Sequence, residues 1–375
     1  MSFRIYLSPP DVGANERNLL LEAFDSNWIA PFGPALNEFE ALLSETIGTN
    51  VSAVSSGTAA LHLLLKAHHI GAGDYVLCSN ITFAATVFAV DYVGAKAILV
   101  GSDSQTWNMC PDALSETLAW CKKEGIIPKA LLVTHLYGMP ADVFSILEIC
   151  KEHDIVVIED AAEALGSSYF GGMCGNLADG ASLSFNGNKI ITTSSGGAVC
   201  TNNEDHLERV KFWANQAKDN TPFYMHHETG YNYRLSNLSA AVGLGQLQCL
   251  EEKVAKKRAI FERYQDALEP LGFQFQEEPA LCESNRWLTV ALIPENEKAS
   301  VSDLIEYLKA LGIEARHMWT PMHMMPLPYL VKTDIDLNGD LDIFTRGICL
   351  PSGTGLTEDQ QTEVIEAIKA YYQSL

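Results

Sequence analysis

The sequence has little positive charge. Only 25 Lys+Arg stand against 47 Asp+Glu, a formal net charge of −22 with pI ≈ 4.8. A field of that sign repels phosphate backbones and anionic headgroups, which argues against generic nucleic-acid or membrane binding. No C-x-x-C pair occurs. The nine cysteines (Cys78, Cys110, Cys121, Cys150, Cys174, Cys200, Cys249, Cys282 and Cys349) are odd in number and scattered, so neither a disulfide scaffold nor a zinc ribbon fits. No run approaches the ~20 apolar residues that span a bilayer. The opening MSFRIYLSPP reaches Pro9 and Pro10 before a signal-peptide core could form. These absences lead to the expectation of a soluble cytoplasmic protein.

Several catalytic motifs are missing as well. Gly353-Thr354-Gly355 starts like a dinucleotide fingerprint, but Glu358 stands where the third glycine belongs and no βαβ unit follows. There is no P-loop and no G-x-S-x-G elbow. His227-Glu228 begins like a zincin helix, but Tyr231 occupies the second histidine position. The ten histidines are otherwise dispersed, so no metal site is expected.

What is present is an ordinary globular chain of 375 residues, 47% hydrophobic, long enough for two domains at ~150 residues each. Between about residues 50 and 200, seven short apolar runs alternate with helical patterns: Val51–Val54, Tyr75–Cys78, Lys96–Val100, Ala130–Thr134, Ile155–Glu159, Ala181–Phe185 and Gly197–Thr201. Helices are expected at Thr58–Ala67 and Pro140–His153. This pattern predicts a mainly parallel seven-stranded sheet covered on both faces. Leu238–Tyr264 reads as one long helix linking to a smaller α+β part, with a strand at Trp287–Ile293 and helices at Val301–Ala310 and Thr357–Tyr371. The expected division is 1–245 for the N-terminal segment and large domain, and 246–375 for the linker helix and small domain.

One constellation carries chemistry. Ser55-Ser56-Gly57-Thr58-Ala59-Ala60 lies where a strand gives way to a helix, and the free N–H groups there can hold a phosphate. Alone, it reads first as an N-cap. Asp160 closes the apolar run Ile155–Glu159, where α/β proteins build sites, and could hold a proton on a heteroaromatic nitrogen. Lys189 follows a strand and a glycine-containing turn. Singly it would be a surface lysine. Together, a phosphate cup, a strand-end aspartate and a turn lysine are the parts that pyridoxal phosphate needs.

In this light the chain resembles the DegT/DnrJ/EryC1/StrS family of pyridoxal phosphate-dependent sugar aminotransferases. The likeness rests on N-W-I-A-P-F-G-P at 27–34, S-S-G-T-A-A-L-H at 55–62, T-F-A-A at 82–85, H-L-Y-G at 135–138, I-E-D-A-A-E-A-L-G at 158–166, S-F-N-G-N-K-I-I-T-T at 184–193, N-Y-R-L-S-N at 232–237 and C-L-P-S-G-T-G-L-T at 349–357. The resemblance implies the aspartate-aminotransferase type I fold. It implies Lys189 as the lysine that bonds the cofactor and shifts the proton, and Asp160 as the partner of the pyridine nitrogen. Phe83 would stack on the ring, and Gly57, Thr58 and Ser184 would form the phosphate cup. Asn232 would reach the phosphate of a neighbouring subunit, in a homodimer with shared sites. Glu163 departs from the pattern: many members carry Gln or His there, beside the phenolic oxygen.

The implied reaction takes an amino group from L-glutamate, passes it through pyridoxamine phosphate, and follows ping-pong kinetics. The wording of 184–193 and of E-A-R-H-M-W-T-P-M-H at 314–323 is similar to the branch that aminates C4 of UDP-4-keto-6-deoxy-N-acetylhexosamine, the UDP-N-acetylbacillosamine type. Arg316, Trp319 and His323 are then candidates for the nucleotide sugar. The alternatives are a GDP-linked, perosamine-type substrate, or a non-catalytic cofactor-binding regulator. Retained Lys189 and the lack of a DNA-binding appendage weigh against the regulator.

Overall fold

A computed structural model describes residues 3–295 and 299–375. The chain starts with α1 (Ala14–Asp25) and α2 (Pro34–Ile47), then β1 (Val51–Val54), α3 (Gly57–Ala67), β2 (Tyr75–Ser79) and α4 (Ala85–Tyr92). Next come β3 (Lys96–Val100), α5 (Pro111–Glu124), β4 (Pro128–Thr134), α6 (Val143–Lys151) and β5 (Val156–Asp160). Two short strands, β6 (Ser168–Tyr169) and β7 (Gly172–Met173), lead to β8 (Gly180–Ser184), β9 (Gly197–Cys200) and α7 (Glu204–Ala214). The rest runs α8 (Asn237–Leu247), α9 (Leu250–Leu268), β10 (Gln274–Phe275), β11 (Cys282–Glu283) and β12 (Thr289–Leu292). It ends with α10 (Val301–Ala310), β13 (Arg316–His317), α11 (Asn338–Arg346), β14 (Gly347–Leu350) and α12 (Glu358–Gln373).

The seven apolar runs become one seven-stranded sheet, ordered β1-β9-β8-β5-β4-β2-β3. From β8 through β5, β4 and β2 to β3 every pairing is parallel. Only β9 is reversed, antiparallel to both β1 and β8. The runs read as continuously apolar because both faces are covered. Leu77, Ile98, Leu131, Val133 and Val157 pack with Leu114 and Leu118 of α5 and with Val143 and Ile146 of α6. Their alternates Val76, Ala97, Leu99, Leu132 and Ile158 pack with α3, α4 and α7. The C-terminal strand ends Thr134, Asp160 and Ser182–Ser184 therefore share one edge, and β1 delivers the start of α3 to it.

A second, antiparallel sheet, β10-β12-β14-β13, packs its apolar side on α9, α10 and α12. The N-terminal segment is tied to this part: Arg4 and Ile5 N–H groups donate to the Gly312 carbonyl, and Ser352 N–H donates to that of Leu7. No helix among the described residues is long and apolar enough to cross a membrane.

Most expected elements shift their ends by one or two residues, and three of the changes have a local cause or a bearing on the site. The Asp142 carboxylate accepts from the Ser145 N–H, so α6 begins at Val143 instead of Pro140. The single helix expected over Leu238–Tyr264 is two. Cys249 N–H turns back to the Gln246 carbonyl in a tighter bond, separating the buried α8 from α9, which exposes most of its charges but buries Lys253 and Lys257. In α8 a Cβ on Gly243 would lie 2.8 Å from the Phe39 ring, and one on Gly245 2.9 Å from Glu16 Cγ, so α1 and α2 close on its bare backbone. Finally, β12 starts at Thr289, and Trp287 precedes it.

Candidate active site

At the shared strand edge lies a cavity of about 330 Å³, lined by Ser56, Gly57, Thr58, Phe83, Asp160, Glu163, Ser184, Lys189, Trp287 and Trp319 among others. That is the small end of the ~300–1,000 Å³ range of ligand pockets. One wall is the first turn of α3. Ser56 caps it through the Ala59 N–H at 3.1 Å, which leaves the Gly57 and Thr58 N–H groups without an acceptor among the described residues. The turn is pressed onto the sheet: a Cβ on Gly57 would sit 3.1 Å from Ser184 Cβ, and one on Gly197 2.4 Å from Gly57 N. N–H dipoles and the hydroxyls of Thr58 and Ser184 thus make an anion cup without a cation.

Across the cavity, the Asp160 carboxylate is held from three sides. It accepts from Thr86 Oγ1 at 2.6 Å, the Ala162 N–H at 3.2 Å and Ser182 Oγ at 3.3 Å. A hydroxyl chain backs it, from Thr86 through Thr82 to Thr134. These contacts aim a buried carboxylate while leaving it short of a cationic partner, as a site for a protonated heterocycle requires.

Lys189 is the one cation among the described lining residues. Its Nζ lies 3.4 Å from Glu163 Oε1 and 3.9 Å from the centroid of the Trp287 ring. Glu163 is a node: its other oxygen accepts from the Tyr137 N–H at 2.7 Å, and Oε1 also accepts from Trp319 Nε1 at 3.2 Å. Burial pushes its carboxyl above the usual range, opposed by Lys189 and these bonds. Tyr137 stacks between Trp287 and Trp319, and its hydroxyl accepts from the Trp319 N–H. Phe83, 51% exposed, lies against Trp319 with ring centroids 5.1 Å apart.

Of the residues singled out in the sequence, Gly57, Thr58, Phe83, Asp160, Glu163, Ser184, Lys189 and Trp319 meet in this cavity. Asn232 does not; it is exposed and bridges to Asn215. Nor do Arg316 and His323. Arg316 is exposed and pairs with Glu314 at 2.5 Å, while His323 Nδ1 lies 2.9 Å from Asn80 Nδ2, which also donates to Asp340. Sequence reading missed Trp287, along with Thr82, Thr134, Asn186, Asn188 and Ser195 in the lining. Only the run 184–189 gave a local signal for the two asparagines.

A second polar cluster, His135, Glu159 and Cys174, has metal-ligand residue types, but the His135 and Glu159 atoms are engaged in hydrogen bonds. Nδ1 of His135 accepts from the Ala141 N–H, so Nε2 carries the proton and donates to Glu159. Glu159 also accepts from the Gly175, Leu177 and Ala178 N–H groups. It ties β4, β5 and the 174–178 turn together.

Fold and cavity together define an α/β protein that can hold an anion, a basic ring nitrogen and a reactive amine at one sheet edge. The model of the DegT/DnrJ/EryC1/StrS aminotransferase family matches residues 10–369. EpsN of Bacillus subtilis (strain 168), provisionally assigned as a pyridoxal phosphate-dependent aminotransferase, is 44% identical over 373 residues, 98% of this chain and 96% of EpsN. The GDP-perosamine synthase of Caulobacter vibrioides is 37% identical over 97% of each chain. The crystal structure of a DegT DnrJ EryC1 StrS aminotransferase from Brucella abortus superposes with a TM-score of 0.88 at 28% identity, covering 95% of both chains. The chain belongs to the DegT/DnrJ/EryC1/StrS aminotransferase family, with the aminotransferase fold its sequence implied.

Proposed function

We propose that this enzyme uses pyridoxal phosphate to transfer the amino group of L-glutamate to C4 of a nucleotide-linked 4-keto-6-deoxy sugar, with UDP-4-keto-6-deoxy-N-acetylhexosamine as the preferred acceptor and a surface polysaccharide or glycan as the destination of the product. The carrying observation is that the unpaired α3 N–H groups, Asp160 and Lys189 line one cavity. The residues fit the cofactor: an N–H cup for its phosphate, a fixed carboxylate for its nitrogen, and an amine for its aldehyde carbon. When bound, the cofactor supplies an electron sink for the bond broken at the donor's Cα.

The protein's own groups do the rest. Gly57, Thr58 and Ser184 hold the phosphate in an acidic molecule by dipoles and hydroxyls, with no need of net positive charge. Asp160 holds the proton on the ring nitrogen. With the cofactor bound, Lys189 Nζ would take the proton from the donor's Cα and, once the keto sugar is in place, deliver one to C4 of the sugar. Phe83 covers one ring face. Asn232 completes the phosphate site of a second copy, making the working unit a homodimer. Arg316 and His323, outside the cavity, are assigned to the nucleotide, and Trp319 to the sugar.

The UDP reading rests on the wording of the 184–193 and 314–323 motifs. The 37% identity to a GDP-perosamine synthase supports a second reading, GDP-4-keto-6-deoxymannose as acceptor. Incubation with each nucleotide sugar plus L-glutamate, with mass spectrometry of the product, separates them. A faster UDP-4-amino sugar is expected; a faster GDP product overturns the base assignment. Lys189→Ala should abolish amination with either, and turnover surviving that change would refute the role of Lys189.

A further inference from the structure

Trp287 has no place in the scheme above, yet it is buried beside Lys189 and hydrogen-bonded through its backbone and its indole N–H. It is 1% exposed. Its N–H donates to Asn285 Oδ1 at 2.8 Å, its indole N–H to the Asn188 carbonyl at 2.7 Å, and its carbonyl accepts from Lys257 Nζ at 2.8 Å. Asn188 is the residue before Lys189. Asn285 in turn donates to the carbonyls of Glu163 and Leu165 at 2.9 Å each, so Trp287 and Glu163 are fixed to one another through it. Tyr137 stacks behind the indole at 20°. The result is a two-sided cradle: an indole face 3.9 Å from Nζ and a carboxyl oxygen 3.4 Å from it.

Both sides favour an ammonium. The indole face attracts a cation through its quadrupole, most strongly where water is scarce. Resting on the assignment of Lys189 in the proposed function, we propose that Trp287 is a positioning residue: with Glu163 it forms the holding site for the Lys189 amine whenever that amine is not bonded to the cofactor. An amine freed between half-reactions needs such a place, since a lysine side chain has several rotatable bonds and loses reach if it turns to solvent. Held over Trp287, it stays at the cavity wall and keeps the proton it must return. The charged groups around it are Glu163 beside Nζ, Asp160 in the same cavity, and Lys257 on α9, whose Nζ donates to the Trp287 carbonyl.

The test is the pH dependence of trinitrophenylation of Lys189, quantified by peptide mass spectrometry, on the full-length enzyme with L-glutamate added and on the same protein dialysed free of cofactor. Trp287→Leu should move the half-maximal pH down by about one unit, a roughly tenfold rise in reactive amine at a given pH, equivalent to ~1.4 kcal/mol. Trp287→Phe keeps a weaker ring face and should give about a threefold rise. This variant carries the test if the leucine variant does not fold. In turnover, kcat should fall about tenfold in Trp287→Leu with KM for L-glutamate within about twofold, as expected for a group acting on proton transfer instead of binding. Superimposable labelling profiles for the wild type and Trp287→Phe, or an unchanged kcat in a folded Trp287→Leu, would overturn the proposal. Labelling requires no turnover, so the expected shift in a protein that aminates nothing would preserve the cradle and refute the aminotransferase reading alone.

Discussion

Glu159→Gln is the sharpest test of how this fold holds its site edge. The Glu159 carboxylate is fully buried and surrounded by donors. One oxygen accepts from the Leu177 N–H at 2.7 Å and the Ala178 N–H at 3.1 Å; the other accepts from the Gly175 N–H at 2.8 Å and His135 Nε2 at 2.9 Å. Because His135 Nδ1 takes the Ala141 N–H, the imidazole cannot switch to offer an acceptor without losing that bond. Glutamine has nearly the same shape, but its NH2 must face two donors in either orientation. Two charge-assisted hydrogen bonds are lost, each worth ~1.5–3 kcal/mol, so a loss of about 4 kcal/mol is expected. For 375 residues the unfolding entropy near 60 °C is roughly 0.8 kcal/mol per degree, which converts that loss into a fall in Tm of about 5 °C. Differential scanning calorimetry of the two proteins at one concentration and pH reads it. A fall below about 1 °C would mean that the site contains a proton the four donors leave no room for, and the hydrogen-bond argument would fail.

Two further outcomes follow from packing and protonation. Gly245→Ala places a Cβ 2.9 Å from Glu16 Cγ and 3.1 Å from its backbone, so α1 must retreat from α8. An overpacking loss of about 1–3 kcal/mol is expected in urea unfolding, and a variant as stable as the parent would contradict the close approach. His68 has an orphaned Nε2 against the His206 ring, and burial, with His206 second, lowers its pKa to about 4. The unfolded chain protonates near 6.5 while the folded one does not, so this contribution is complete above pH 6.5 and is lost as pH falls toward 4. Discounted for partial exposure it amounts to roughly 2 kcal/mol. His68→Leu should flatten the stability profile between pH 4 and 6.5, and an unchanged slope there would refute the assignment.

Some of the site was readable because local chemistry is repeated in local sequence. A strand buried on both faces must be continuously apolar, so all seven strands of the large sheet show as runs, and Asp160 stands out as the acid that ends one of them. A helix start needs a cap, and Ser56 before Gly57-Thr58 marks the anion cup. Other features had a signal that went unused. Glu314 lies two residues before Arg316, where β13 begins, and the i, i+2 spacing is what brings the pair together. The break at Gln248–Cys249 had none, since helical propensity continues across it and only the packing of α8 on α1 and α2 turns the chain.

The sequence by itself determined the seven strands of the sheet and the identities of the carboxylate, the amine and the capped helix that converge at its edge, because backbone hydrogen bonding and burial act over a few residues at a time. What only the tertiary structure decided is who stands beside Lys189. Trp287, Tyr137 and Trp319 come from three separate connections, and their stacking on one another and around Glu163 depends on through-space contacts that leave no periodicity in the chain. The same holds for His323, which Asn80 and not the cavity receives. Charge follows that division too: −22 describes the whole chain, while the electrostatics of the site are set by two unpaired N–H groups, one lysine and the carboxylates of Asp160 and Glu163, because field strength falls with distance and the nearest groups dominate.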